Sequence, residues 1–132
     1  MITINVPTSK RIEFVDLTGE IRKTIREYGW TSGILSVYCP HTTAAITINE
    51  NADPSVKSDI NTVLNRLIPH KGNYDHMEGN ADAHVKSSLV GASEQVIVHA
   101  GEPALGTWQG IFFCEFDGPR NRHMLVKIVA DN

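Results

Sequence analysis

The stretch from residue 76 to residue 84 concentrates side chains that could do chemistry. It holds two histidines, two carboxylates and an amide within nine residues, namely His76, Glu78, Asn80, Asp82 and His84. A neutral imidazole is a good ligand for zinc and other transition metals, and carboxylate or amide oxygens can complete such a site or orient the rings. The spacing matches no established zinc motif, so a metal site and a plain polar loop are both open interpretations.

A second polar group lies where two apolar, strand-like runs are interrupted. His41, Thr42 and Thr43 occupy the interruption, and Asn49 and Glu50 follow at the end of the second run. The two hydroxyls could bind a phosphate, or they could simply satisfy the backbone of a turn. Glu50 needs a further explanation, because a carboxylate at a strand end beside a helix start has no evident structural task.

Two turn segments near the C-terminal end could supply a third wall. Trp108 and Gln109 lie between glycines, and the indole offers a flat face on which a heteroaromatic ring could stack. Asp117 and Arg120 flank a Gly-Pro turn, where the guanidinium could bind a phosphate through two parallel hydrogen bonds. A core tryptophan and an ordinary turn are the alternatives.

Hydrophobic periodicity predicts the elements that must position these groups. Asp53 followed by Pro54 indicates a helix start, and a polar loop of about ten residues from His70 to Gly79 precedes another helix capped by Asn80 or Asp82. A tight turn joins the last two strands, which favours antiparallel pairing and hence an α+β fold with largely antiparallel sheets and about three helices. The predicted helices lie near residues 18–28, 54–68 and 81–90, and the predicted strands near residues 2–6, 11–15, 33–39, 44–48, 94–99, 107–117 and 122–129.

The strand predicted over residues 107–117 is apolar on both faces. A strand of this kind is typical of a sheet whose two faces are both covered. We therefore expect its second face to be covered by another part of the structure, for which another subunit is one candidate, and a homo-oligomer is the resulting hypothesis.

Composition excludes several classes of protein. At 132 residues the chain is long enough for one domain, and its net charge of −3 is interspersed, which argues against a nucleic-acid or membrane-surface partner. The first residues alternate like a strand, unlike a signal peptide, and no apolar run approaches the ~20 residues of a membrane span. Cys39 and Cys114 lie in apolar runs, as expected for buried, reduced thiols in a cytoplasmic protein.

Together these segments resemble the YjbQ family of small bacterial and archaeal proteins, and the resemblance covers nearly the whole chain, residues 1–132. The motifs that carry it are His41-Thr42-Thr43-Ala44-Ala45, Asn49-Glu50, Asp53-Pro54, Glu78-Gly79-Asn80-Ala81-Asp82-Ala83-His84, Gly106-Thr107-Trp108-Gln109 and Asp117-Gly118-Pro119-Arg120. The resemblance implies an α+β fold, a homotrimer and a secondary thiamine-phosphate synthase activity. That reaction joins an aminopyrimidine-methyl pyrophosphate to a thiazole phosphate and releases pyrophosphate.

The residues and the resemblance lead to one main hypothesis, a transferase acting on phosphorylated substrates with a divalent metal ion, Mg or Zn. Its predicted catalytic residues are His84, His41 and Glu50, and its predicted metal ligands are His41, His76 and His84. Its predicted substrate-binding residues are Thr42, Thr43, Asn49, Asn80, Asp82, Trp108, Gln109, Asp117 and Arg120. The alternatives are a non-catalytic binding module for a phosphorylated metabolite or metal ion, and a trimeric structural protein whose polar motifs make subunit contacts.

Overall fold

The computed structural model describes residues 1–131, and Asn132, the last residue of the predicted domain, lies outside the described residues. The strands are β1 (Ile2–Pro7), β2 (Glu13–Asp16), β3 (Gly33–Tyr38), β4 (Ala44–Glu50), β5 (Ser93–His99), β6 (Glu102–Pro103), β7 (Gln109–Glu115) and β8 (Asn121–Ala130). The helices are α1 (Thr18–Glu27), α2 (Pro54–Leu67) and α3 (Ala81–Val90). None of these three helices has the length and hydropathy of a membrane span.

The strands form two antiparallel sheets. One has five strands in the order β1-β8-β3-β5-β6, and the other has three in the order β2-β7-β4. Every strand pair is antiparallel, but the tight turn between β7 and β8 carries the chain from one sheet to the other, so the predicted antiparallel pairing of these last two strands with each other is wrong. The predicted α+β class with antiparallel sheets and three helices is confirmed.

The main core lies between the two sheets and includes one face of α1. Leu35 and Val37 of β3 pack in the same cluster as Phe113 of β7 and the α1 residues Ile21 and Ile25, all essentially inaccessible to solvent. Burying each such side chain contributes about 1.5–3 kcal/mol before conformational entropy is subtracted. This core holds the two sheets in a fixed relation and so fixes the loops at their ends.

The second face of the three-stranded sheet is covered by the chain's own helices. Cys114 and Phe116 pack with Leu64 of α2 and Ala83 of α3 in a separate buried cluster. The expectation that this face is covered is confirmed, and the cover is supplied by the chain itself, because the segment between β4 and β5 carries α2 and α3 back over the sheet. The prediction that Cys39 and Cys114 are buried free thiols is confirmed, and burial raises the pKa of both, so neither is an activated nucleophile.

The helix starts differ in how they are capped. Asp53 caps α2 as predicted, since its carboxylate accepts from the Ser55 N–H at 2.9 Å. At α1 the cap residue is Leu17, which has no capping side chain, and the Asp16 carboxylate accepts from the Thr18 N–H at 2.9 Å. Asn80 lies at the cap position of α3, but its side chain makes no capping hydrogen bond and reaches another turn. That difference shapes the candidate site.

Candidate functional site

Two of the predicted histidines lie against each other at the start of α3. The ring centroids of His76 and His84 are 5.1 Å apart, and the ring planes are inclined by 72°. His76 comes from the long loop before α3, and its Nε2 lies 3.9 Å from a carboxylate oxygen of Glu78. The two rings line a cavity of about 340 Å³ together with Tyr74, Asp75, Ala81 and Val85.

His84 also lines a second cavity, on the side of α3 that faces β4 and β5. This cavity, of about 540 Å³, is lined by His41, Thr42, Ala44, His84, Ser87, Ser88, Gly91 and Ala92. The structure therefore brings the three predicted histidines around one ring, with His76 on one side of His84 and His41 on the other. The two cavities meet at His84, and Thr42 is exposed at the edge of the second one.

His41 is fixed by the backbone of β8. Its Nε2 lies 3.0 Å from the backbone nitrogen of His123 and 3.0 Å from that residue's carbonyl oxygen. The ring can therefore accept from the N–H or donate to the carbonyl, depending on its tautomer. Burial, and then the nearby Arg122 guanidinium, lowers the pKa of His41. The neutral ring that results has its Nδ1 left for a ligand.

A buried polar network lies beneath His41. The Arg122 guanidinium donates to the Glu115 carboxylate at 2.8 Å and to the Thr43 hydroxyl oxygen at 2.7 Å, and the Thr8 hydroxyl donates to Glu115 at 2.8 Å. Thr43, predicted to bind substrate, thus faces inward and is 6% exposed. Within one chain, the Thr43 side chain holds the turn that carries His41 and Thr42.

The turn after β7 lies beside the start of α3. The Asn80 amide donates to the Asp117 carboxylate at 2.8 Å, and the Arg120 guanidinium donates to the same oxygen at 3.0 Å and to the Asp117 carbonyl at 2.8 Å. These bonds leave further N–H groups of Arg120 free, and its side chain is 53% exposed. A helix start carries a partial positive charge, so the exposed Arg120 and the start of α3 together form a candidate anion site.

A second arginine, which the sequence did not indicate, lies at the same helix start. Arg11 is half-exposed, and its Nη1 lies 3.5 Å from the Asp82 carboxylate. The backbone carbonyl of Arg11 also accepts from the N–H of Gly118, in the turn that carries Arg120, at 2.9 Å. Its partner is 71 residues away in the chain, so no local pattern could have revealed the pairing.

Asp82 itself lies below the surface. It is 1% exposed, and its carboxylate accepts from the buried Lys86 ammonium at 3.2 Å, which in turn donates to Asn65 at 2.6 Å. Within one chain, Asp82 therefore acts on a ligand only by helping to hold Arg11 in position. The candidate anion-binding surface consists of the two exposed arginines beside the first turn of α3, whose residues Ala81, Asp82 and Ala83 are themselves buried.

The remaining predicted residues lie at the other end of the three-stranded sheet. Ala44 pairs with Glu115 at the histidine end of β4 and β7, whereas Glu50 pairs with Gln109 at the far end. The two pairs are six positions apart along each strand, which amounts to about 20 Å at the usual rise per residue. Trp108, one residue before Gln109, therefore lies well away from His84 within one chain.

The side chains at this far end are mostly tied to their own turns. The Glu50 carboxylate accepts from the Asn51 N–H at 3.1 Å, and the Asn49 side chain accepts from the Glu50 N–H at 2.7 Å. The Gln109 side chain accepts from the Gly106 N–H at 2.8 Å, which shapes the turn that presents Trp108. The indole is 64% exposed, so it is a displayed ring rather than a core residue.

The described residues do not assemble a complete metal centre within one chain. No group of three or more histidine, cysteine, aspartate or glutamate side chains in residues 1–131 is arranged to hold a metal ion. His76 and His84 form a pair of neighbouring rings, while His41 lies across the second cavity with Nε2 engaged by the backbone. The predicted set of His41, His76 and His84 would need a ligand from outside the chain to close around one ion.

The fold and site define a class: a small two-sheet α+β domain in which a helix start, two arginines and three histidines converge. The match to a family model narrows this class, since residues 2–131 match the model described as "UPF0047 protein YjbQ-like". The chain belongs to this YjbQ-like UPF0047 family.

Individual relatives agree with this assignment. A UPF0047 protein of Methanocaldococcus jannaschii is 59% identical over 126 residues, covering 96% of this chain and 91% of its own. The UPF0047 protein YugU of Bacillus subtilis is 54% identical over 129 residues, covering 97% of this chain and 98% of its own. A crystal structure of an uncharacterized YjbQ/UPF0047-family protein from Clostridium acetobutylicum superposes with a TM-score of 0.95 at 50% identity, covering 98% of this chain and 100% of that one.

Proposed function

We propose that this chain is a transferase that joins an aminopyrimidine-methyl pyrophosphate to a thiazole phosphate, as a thiamine-phosphate synthase does, either as its main or as a secondary activity. One observation carries the proposal: Arg11 and Arg120 flank the start of α3, and one turn into that helix His84 packs against His76 and shares a cavity with His41. A pyrophosphate needs positive charge and donors at one place, and this is where the described residues supply them.

The reaction asks the protein mainly to stabilise a leaving group. The bond between the exocyclic methylene carbon and a pyrophosphate oxygen breaks, the electron pair leaves with the pyrophosphate, and the thiazole ring nitrogen forms the new bond to that carbon. Donors aimed at the charge that develops on the departing oxygen lower the barrier. Arg11, Arg120 and the first N–H groups of α3 would hold the pyrophosphate, and His84 would donate to its departing oxygen.

A divalent ion, Mg or Zn, belongs to the proposal as a charge-neutralising partner of the pyrophosphate. The described residues offer it only the His76 and His84 pair, which is not a complete ligand set. The proposed reaction steps therefore rely on the chain's own side chains and backbone N–H groups. Metal analysis of the purified protein tests this part separately.

We further propose a cytoplasmic homotrimer as the working form. The support is the family to which the chain belongs together with exposed apolar side chains on α3 and on the five-stranded sheet, among them Leu89 and Ile97. Its ligand would be a small phosphorylated molecule, and neither nucleic acid nor membrane is expected as a partner.

A second candidate is a binding module that holds a phosphorylated metabolite or metal ion without turning it over. Its support is the position of Glu50, the predicted catalytic carboxylate, at the far end of β4 and hydrogen-bonded to its own turn. The structural-protein alternative predicts that replacing Trp108 or Arg120 changes oligomer size and leaves ligand affinity unchanged.

The direct test of the transferase is His84→Ala. We expect it to reduce pyrophosphate release from the two substrates by about 100-fold or more, the usual effect of losing a positioned proton donor, while the thermal midpoint changes little. The matched control is His99→Ala, an exposed histidine of β5 outside both cavities, which should keep full activity.

Activity of folded His84→Ala equal to that of the wild type would contradict the proposed role of this ring. Saturable binding of the substrates by the wild type with no product, even at high protein concentration, would replace the transferase with the binding module.

A further inference from the structure

We propose that the site is completed between two copies of the chain, with the Trp108 end of one copy seated against the His84 end of the next. This inference rests on the proposed function for its substrate, because it assigns the stacking of the ligand's ring to a different subunit from the one that binds its pyrophosphate. It adds to that function an interface and a division of labour.

The first argument is the separation of the two ends. Trp108 and His84 lie at opposite ends of the three-stranded sheet, about 20 Å apart by strand length. A pyrophosphate and the ring that carries it span far less than this distance. A single chain therefore cannot place one such ligand against both side chains.

The second argument is that exposed apolar side chains border each end. On α3, Val85 and Leu89 are 46% and 64% exposed and lie one helical turn apart, next to His84; these define the α3 patch. At the far end, Ile97 is 60% exposed and lines a cavity of about 350 Å³ with Leu105 and Gln109, beside Trp108; Ile97 and Trp108 define the tryptophan patch.

The two ends also differ in the charge of their exposed side chains. The α3 patch belongs to the end that carries Arg11 and Arg120, both substantially exposed. The tryptophan patch lies at the end that carries Glu50 and, at the cap of α2, the exposed Asp53. Opposite charges beside two apolar surfaces orient the surfaces toward each other and disfavour the pairing of like ends.

The pairing of two different patches has a consequence for assembly. When the α3 patch of one copy meets the tryptophan patch of the next, each copy keeps one patch free for a further copy, so the assembly is head-to-tail and closes as a ring. A ring has as many composite sites as subunits. A ring of three would agree with the proposed homotrimer.

An assembly experiment tests this without any substrate. Leu89→Asp disables the α3 patch and Ile97→Asp disables the tryptophan patch, so each variant alone should be monomeric by size-exclusion chromatography with light scattering. Mixed in equal amounts they should form a dimer, because each keeps the patch that the other lacks. Leu67→Asp is the control, at a 66% exposed position of α2 outside both patches, and should assemble like the wild type.

Circular dichroism establishes that the variants are folded. Folded Leu89→Asp that still assembles, or a mixture that stays monomeric, would overturn the head-to-tail contact. Dissociation by Leu67→Asp alone would assign the interface to α2 instead.

An activity experiment tests the composite site itself. His84→Ala and Trp108→Ala, unfolded and refolded together in equal amounts, should recover about a quarter of the wild-type turnover, since about one junction in four then joins an intact His84 to an intact Trp108. A site within one chain predicts no recovery. Wild type refolded with an equal amount of the double variant should give about a quarter for a composite site and about a half for a single-chain site.

The two experiments separate the failure of the inference from failure of the function. An inactive wild type whose patch variants still form the mixed dimer would refute the transferase and keep the interface. An active wild type with no recovery of turnover in the refolded mixture would keep the transferase and refute the composite site.

Discussion

His41 shows how the neighbours of one residue decide its protonation state. Burial and the Arg122 guanidinium lower its pKa from the ordinary value of 6.5, so the folded chain disfavours the imidazolium. The unfolded chain therefore binds more protons than the folded chain between the lowered pKa and 6.5. Stability is fully present above 6.5 and is lost as the pH falls from there toward the lowered value.

This gives a pH prediction at the level of one side chain. The free energy of unfolding should fall between about pH 7.5 and about pH 5.5, and His41→Gln should reduce that fall. Urea unfolding at the two pH values measures the difference. His99→Gln, at an exposed position of β5, should leave the slope as in the wild type, and an equal slope in His41→Gln would contradict the assigned cause.

At the scale of elements, the Arg122–Glu115 pair ties β7 and β8 to the turn that carries His41. Glu115 is fully buried and Arg122 is 7% exposed, so the pair is removed from solvent and is satisfied by Thr8 and Thr43. Removing one partner would leave the other charge buried without compensation. The network is therefore what sets the position of His41 relative to α3.

Arg122→Met should destabilise the fold by about 3–5 kcal/mol, because Glu115 is left as an unpaired buried charge. Arg26→Met is the matched control, since Arg26 is 67% exposed and its guanidinium lies 4.0 Å from a Glu102 oxygen. Losing such a surface pair should cost less than about 1 kcal/mol. Urea unfolding measures the free energy of unfolding of both variants. Similar losses of stability in the two would show that the buried network does not contribute this stability.

Local sequence signals predicted the elements well. Asp53 and Pro54 mark the start of α2 because capping chemistry acts within three residues, and the alternation of Ile2, Ile4 and Val6 marks β1 because side chains alternate along a strand. Such signals report on a residue's own turn or strand.

The site itself could be predicted only in part. The residue types at 76–84 indicated the histidine pair, because both rings belong to one short segment. Arg11 was missed because its partner Asp82 is distant in the chain, and the separation of Trp108 from His84 depends on the register of β4 and β7. Strand register and contacts between distant residues arise only in the folded sheet, and hydrophobic periodicity along the sequence does not report them.

At the scale of the whole molecule, charge and apolar surface are arranged by position. One end of the three-stranded sheet displays histidines and arginines, and the other displays an indole and carboxylates. The cores between them are closed by the chain's own α1, α2 and α3. Both ends are therefore exposed, as is the outer face of the five-stranded sheet, where Ile97 and Val129 lie.

The central claim is that the start of α3, with its two arginines, is an anion site, and calorimetry with inorganic pyrophosphate tests it most directly. Wild type should show saturable binding, and Arg11→Gln and Arg120→Gln should each weaken it by about tenfold or more, the value of one charge-assisted hydrogen bond. Lys23→Gln, on the outer face of α1 where Lys23 is 65% exposed, should bind as the wild type does. Pyrophosphate binding that both arginine variants retain in full, or no saturable binding by the wild type, would contradict the account.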